Sequence, residues 1–209
     1  MVDTAKLPIF LMAALLLAIA PGPGMLYVLA RSLAGGRREG ILSSLGTFVG
    51  GMVHVLAAAA GVSIILARSA VAFATVKYAG AAYLVWLGVR MVLDARRDPD
   101  SLPVQAGTTR NPFRQGIATE VLNPKTALFF LSFIPQFVNR DLGHVFWQFI
   151  LLGSISVSMN TTADLVVTAF AGPLGHRIRS SARVRRAQRT ATGAVMIGLG
   201  GYLALSKAE

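Results

Sequence analysis

Six apolar stretches, each close to the length a helix needs to cross a bilayer, leave this chain few folds to adopt. A hydrocarbon core about 30 Å thick takes about 20 residues of helix at a rise of about 1.5 Å each. The stretches run over residues 7–30, 41–66, 71–93, 113–138, 145–171 and 191–205. The sixth is the shortest and is rich in glycine, with Gly193, Gly198, Gly200 and Gly201. None alternates with period two, so helices are expected and a β-barrel is not. Only 14% of the 209 residues are charged, against about 25% in a soluble domain, and mean hydropathy is +0.61. The expected class is an all-α membrane protein with six transmembrane helices.

Residues 9–20 end in Ala18-Ile19-Ala20, which looks like a signal-peptide cleavage site. Pro21 follows directly, the one early cation, Lys6, sits opposite Asp3, and the apolar pattern resumes at Met25. A single interrupted span is therefore expected here, not a leader.

The net charge of +11 does not point to nucleic acid, because its carriers lie between apolar runs, where cations set topology. Three connections carry them: Arg31, Arg37 and Arg38; Arg90, Arg96, Arg97, Arg110 and Arg114; and Arg177, Arg179, Arg183, Arg185, Arg186 and Arg189. The other side has Lys6, Arg68, Arg140 and Lys207. Basic loops stay cytoplasmic, so both termini are expected on the periplasmic side of a bacterial inner membrane. The chain has no cysteine, which removes disulfides, thiolate metal sites and cysteine nucleophiles. Its three histidines lack metal-ligand spacing. No cofactor and no metal are expected, and no nucleophile with an orienting base suggests an enzyme.

Residues 94–112 read as a linker, rich in Pro, Gly, Asp and Thr, between a half at 1–93 and a half at 113–209. A shift of 103 superposes Pro21 on Pro124, Arg37 on Arg140, Gly40 on Gly143 and Gly50 on Gly153. A shift of 113 brings Gly80-Ala81 and Gly88 onto Gly193-Ala194 and Gly201. Three spans per half would insert the second half upside down, giving two inverted three-helix repeats. Inverted repeats with interrupted helices in matching positions point to a secondary transporter.

Two interruptions stand out. Pro21-Gly22-Pro23-Gly24 removes two backbone donors in the middle of the first span, so helix 1 is expected to break. Asn123-Pro124-Lys125 does the same in the fourth, with Asn123 suited to cap the restart and Pro124 to open it. Open backbone at membrane depth is tolerated where protein or a water-filled cavity satisfies it. Two restarted helices facing each other would offer a positive field to an anion, a carboxylate being the obvious small one. Lys125 adds a cation that lipid alone would not accept. Glu120 and Asp164 are carboxylates costly to ionise unless paired, which suits a proton carrier or the holding of an ammonium group; neutralising Lys125 is the competing role. Ser156, Asn160, Asp164 and Thr168 form a polar stripe at four-residue intervals, for a substrate path or for hydrogen bonds between helices. His54 reads more readily as a hydrogen-bonded packing residue than as a proton shuttle. Gly46-x-x-x-Gly50 suggests close helix approach, and the run from Arg177 to Arg189 could also grip anionic lipid.

These same residues carry a resemblance. PGPG, GRREGILSSLGTFVGG, KYAGAAYLVWLGVRM and FRQGIATEVLNPKTALFFLSFIPQFV resemble the lysine exporter (LysE/RhtB) family of translocators, above all its homoserine/threonine and neutral amino-acid efflux branch, over nearly the whole chain. The resemblance implies export of an amino acid across the bacterial inner membrane, by proton antiport and often as a homodimer. It also implies that Pro21, Gly22, Pro23, Asn123, Pro124 and Lys125 occupy the family's motif positions. The expected partners are a small amino acid, protons and membrane lipid, with no nucleic acid. A passive small-solute channel, an exporter of another metabolite, a membrane scaffold and an intramembrane enzyme are the alternatives.

Overall fold

Proline and glycine punctuate the chain where the sequence suggests, and the helices between them set the architecture. The computed structural model describes residues 6–68, 70–97, 111–139, 141–171 and 182–205. Among these, every regular element is helical. Helix α1 spans Leu7–Ile19, α2 Pro23–Arg68, α3 Ala70–Arg97, α4 Pro112–Val121, α5 Pro124–Leu128, α6 Val145–Ala169 and α7 Ala182–Leu205. A π-helical turn, Phe129–Phe133, and a 3-10 turn, Ile134–Phe137, continue α5.

The helix of the first apolar stretch ends at Ile19 and restarts at Pro23, inside the PGPG motif. Pro23 has no N–H to lose at a first helical position, where none would be bonded. The fourth stretch breaks at Leu122 and Asn123, with Pro124 again in first position, and the two segments meet at 46°. The matched restarts are thus Pro23 and Pro124, two residues off the register that pairs Pro21 with Pro124. That register also pairs Gly40, inside a helix, with Gly143, a left-handed loop residue at φ 65°.

The first connection departs from expectation. Residues 31–40 stay helical except at Gly36, whose φ of 73° and ψ of −171° turn a corner in α2. Only glycine takes that conformation without strain. Arg31 and Glu39, one from each side of the corner, form an ion pair at 2.9 Å. Helix α3 likewise runs on to Arg97, into the stretch expected as linker; residues 98–110 lie outside the described residues, as do Arg140, Arg177, Arg179, Lys207 and both chain ends.

By length and apolarity, two described helices can cross a membrane, Pro23–Gly61 and Val145–Ala169, and the bent pair Pro112–Val121 with Pro124–Phe137 makes a third. Leu7–Ile19 and Thr190–Leu205 are shorter apolar helices. Small residues bring the helices together. A Cβ at Gly46 or Gly50 would collide with the backbone of α4, so the GxxxG pair serves close packing of α2 on α4. Gly88 lies on Gly193 and Ala81 on Gly200, so α3 and α7 cross antiparallel with their backbones in contact.

The densest part of the core is aromatic. Phe129 stacks on Phe133 at a centroid spacing of 5.0 Å and Phe133 meets Phe137 tilted at 5.1 Å along the π and 3-10 turns, and Phe10 meets Phe137 edge-on at 5.4 Å. This ladder fixes α1 beside the restarted fourth segment, and so holds the two breaks side by side. A second clamp closes the turn before α6. Gln148 accepts from Asn139 N at 2.9 Å and donates to Asn139 O and Gly143 O, both at 2.7 Å.

Candidate functional site

Breaking a helix leaves carbonyls without partners on one side and N–H groups without partners on the other. In this fold the two sides are answered by opposite charges. The ammonium group of Lys125 donates to Leu17 O at 2.8 Å and to Ala20 O at 2.7 Å, the carbonyls freed where α1 ends. A helix C-terminus carries partial negative charge, so the cation is seated where the dipole favours it. The lysine stem runs over Gly22, where a Cβ would stand 2.9 Å from Cδ.

Glu120 takes the complementary place. It closes α4, and its carboxylate accepts from Thr126 Oγ1 at 2.6 Å and from Asn123 Nδ2 at 3.1 Å, both in the first turn of the restarted fourth segment. Its Oε2 also rests on Gly24, in the first turn of α2, where any Cβ would collide with it. Asn123 serves twice, since its Oδ1 accepts from Lys125 N at 3.1 Å and caps the restart. The positive ends of both restarted helices therefore face the chain's own carboxylate. An open anion seat beside Lys125 was the expectation; Lys125 instead spends two hydrogens on backbone carbonyls.

Asp164 reaches the same space from α6. The residue is 6% exposed, and its Oδ2 accepts from Thr47 Oγ1 of α2 at 3.0 Å. One turn earlier, Asn160 donates Nδ2 to Ser156 O at 3.0 Å. The polar stripe of α6 is thereby divided among several tasks. Asn160 and Asp164 line the cavity, Thr168 meets Ser32 Oγ at 3.2 Å, and the buried Ser156 Oγ has no hydrogen-bond partner among the described residues.

Gly22, Gly24, Thr47, Glu120, Asn123, Lys125, Asn160 and Asp164 all border one small cavity of about 30 Å³, room for one or two water molecules. Of the residues singled out from sequence, Pro21, Pro23 and Pro124 do not line it; they shape the breaks that make it. Thr47, Thr126 and Thr161 do line it and were not anticipated. The available signal for Thr47 was a run of hydroxyls, Ser43, Ser44 and Thr47, at the start of a mostly apolar span. His54 packs at the edge, donating from Nε2 to Glu120 O at 2.9 Å and stacking on Phe130 with centroids 6.3 Å apart. A second, larger hollow of about 800 Å³ lies between α1 and α6, bordered by Leu15, Ile19, Leu151, Ile155 and Val166. It holds no charged residue and touches the polar cavity at Ala18 and Met25.

Comparison with known proteins gives a consistent picture. The LysE type translocator family matches residues 15–207. An uncharacterized membrane protein of Vibrio cholerae is 31% identical over 206 residues, covering 95% of this chain and 96% of its own. An uncharacterized membrane protein of Pseudomonas aeruginosa is 34% identical, over 88% of this chain and 85% of its own. A leucine efflux protein of Klebsiella pneumoniae is 33% identical over 62% of each chain. No solved structure matches.

Proposed function

This chain belongs to the LysE type translocator family, and from that premise we propose that it exports a small amino acid, or a close metabolite, across the bacterial inner membrane in exchange for protons. The observation that carries the reading is the cavity in which both helix breaks meet, with Lys125, Glu120 and Asp164 around it. Broken helices with charged groups at their ends are the pattern of secondary-transporter binding sites, whereas a scaffold or a purely structural bundle has no use for them. The relative named as a leucine efflux protein supports an amino-acid substrate.

In this reading the halves 1–93 and 113–209 are inverted three-helix repeats that rock about the cavity, with six spans and both termini periplasmic. The antiparallel crossing of α3 with α7, the third helix of each half, supports the repeat. Gly22, Gly24, Asn123 and Lys125 form the substrate-facing breaks, which Pro21, Pro23 and Pro124 shape. Asp164, with Asn160, holds the substrate ammonium or the coupling proton in alternation, and Glu120 is the second carboxylate of the exchange. Protons, bilayer lipid and a second copy of the chain are its partners.

The test is efflux of a panel of preloaded labelled amino acids from cells making the protein, with and without a proton gradient, beside Asp164→Asn. Gradient-dependent export of one or two amino acids, lost in the variant, is the expected result. Export that is never uphill and does not saturate would make the protein a channel. No export of any amino acid would remove the amino-acid reading.

A further inference from the structure

The charges around the cavity are unequally compensated. Lys125, Glu120 and Asp164 are the charged residues that border it. Lys125 donates to two backbone carbonyls at the end of α1, and Glu120 accepts from two side chains, Asn123 on one carboxylate oxygen and Thr126 on the other, where the fourth segment restarts. Asp164 has a single donor. Thr47 donates to its Oδ2, while its Oδ1 has no hydrogen bond among the described residues. Asn160 Oδ1, one turn away on the same face, is equally unoccupied, its amide nitrogen being turned to Ser156 O. Two acceptor oxygens without protein donors, on neighbouring residues that line the cavity and one of them a carboxylate, suit a cationic donor group.

A carboxylate entering the same cavity meets the opposite situation. The starts of the restarted segments already hold Glu120, and two of the three ammonium hydrogens of Lys125 are committed to Leu17 O and Ala20 O. A third carboxylate beside Glu120 and Asp164 would add like charge in a confined space.

We propose that the cavity recognises its substrate through a primary ammonium group held between Asp164 and Asn160 and leaves the carboxylate unread, so that carboxylate-free amines and α-amino amides are substrates alongside α-amino acids. This rests on the exporter reading above and specifies the chemical class that the exporter takes. Glu120 is then a built-in stand-in for the substrate carboxylate.

The experiment is exchange in liposomes holding the purified full-length chain, loaded with the labelled amino acid that the efflux panel identifies. Its amide, its decarboxylated amine and its deaminated hydroxy acid are added as competitors; for leucine these are leucinamide, isopentylamine and leucic acid. The amide and the amine are expected to compete within about threefold of the parent, and the hydroxy acid at least about tenfold more weakly, because a site built for a donor rejects the analogue without it. Competition by the hydroxy acid but not the amine overturns the proposal and assigns recognition to Lys125; a requirement for both ends overturns it as well. In Glu120→Gln the hydroxy acid is expected to gain competition by about tenfold, as the anion seat loses its charge. If the panel yields no amino acid, labelled isopentylamine is tested directly. Exchange of that amine alone removes the amino-acid reading and supports the ammonium site, and exchange of neither removes both.

Discussion

Lys125 Nζ lies 2.7 Å from the carbonyl oxygen of Ala20, so the interruption in the fourth apolar stretch is bonded directly to the interruption in the first. Two sequence motifs about a hundred residues apart form one object, in which the helix end opened by PGPG is closed by the lysine of NPK.

Removing that lysine should therefore damage both motifs. In Lys125→Met the carbonyls of Leu17 and Ala20 lose their donor inside the protein, at a cost of about 1–3 kcal/mol. A lower melting temperature in detergent and loss of at least about tenfold in export are expected. A variant that melts and exports like the wild type would show the bond to be incidental.

Gly24 and Glu120 should behave as a pair. Any Cβ at position 24 collides with Glu120 Oε2, so Gly24→Ala must push the carboxylate off the starts of both restarted segments. The melting temperature is expected to fall in Gly24→Ala, whereas Gly24→Ala combined with Glu120→Gly should melt no lower than Glu120→Gly alone, because the colliding group is then gone. Additive losses in the double variant would argue against the contact, because groups that touch give non-additive effects.

The crossing of α3 and α7 makes a steric prediction independent of transport. A Cβ at Gly88 would stand 2.5 Å from Gly193 O, and one at Gly193 would stand 2.5 Å from Gly88 O. Gly88→Val and Gly193→Val should each cost about 1–3 kcal/mol by forcing the backbones apart. Gly201→Ala, where nothing lies within 4 Å, should leave the melting temperature unchanged or raise it. Equal effects at all three positions would contradict the packing.

The corner in α2 can be examined through its ion pair. Arg31 is nearly buried and Glu39 about one-third exposed, so reversing one charge should weaken the bend, while the exchange Arg31→Glu with Glu39→Arg restores part of it. Because solvent screens the Glu39 side, the recovery is expected to be modest, within about 1 kcal/mol by thermal melting. Identical melting of the single and double variants would show that Gly36 alone holds the corner.

The breaks were legible from sequence because proline and glycine act on their own backbone, and no partner is needed to read them. Asn123, Pro124 and the first-position Pro23 do what their chemistry dictates at the places where they stand. Gly36 was not legible as a corner, since Gly35-Gly36 sits among arginines and reads as an ordinary basic loop; that helix persists on both sides is decided by packing elsewhere in the fold. The partner of Lys125 was hidden for a different reason. A sequence displays carboxylates such as Glu120 as residue types, but carbonyls freed by a break are backbone and have no letter. Thr47 escaped because its role depends on α2 lying against α6, where Asp164 is 117 positions away. The six apolar stretches were visible at once, while the helices run past them into the polar connections, as α3 to Arg97 and α7 from Ala182 show.

The cavity has room for only one or two waters, yet it borders a buried ammonium and two carboxylates. Separating the two breaks would strip Lys125 of Leu17 O and Ala20 O while the charge is still enclosed, and desolvated charge without partners is too costly to persist. Water must therefore enter as the helices part, taking over the carbonyls' hydrogen bonds one at a time. On the exporter reading, opening would in that sense be a wetting transition, its rate set by how readily the first few molecules reach Lys125.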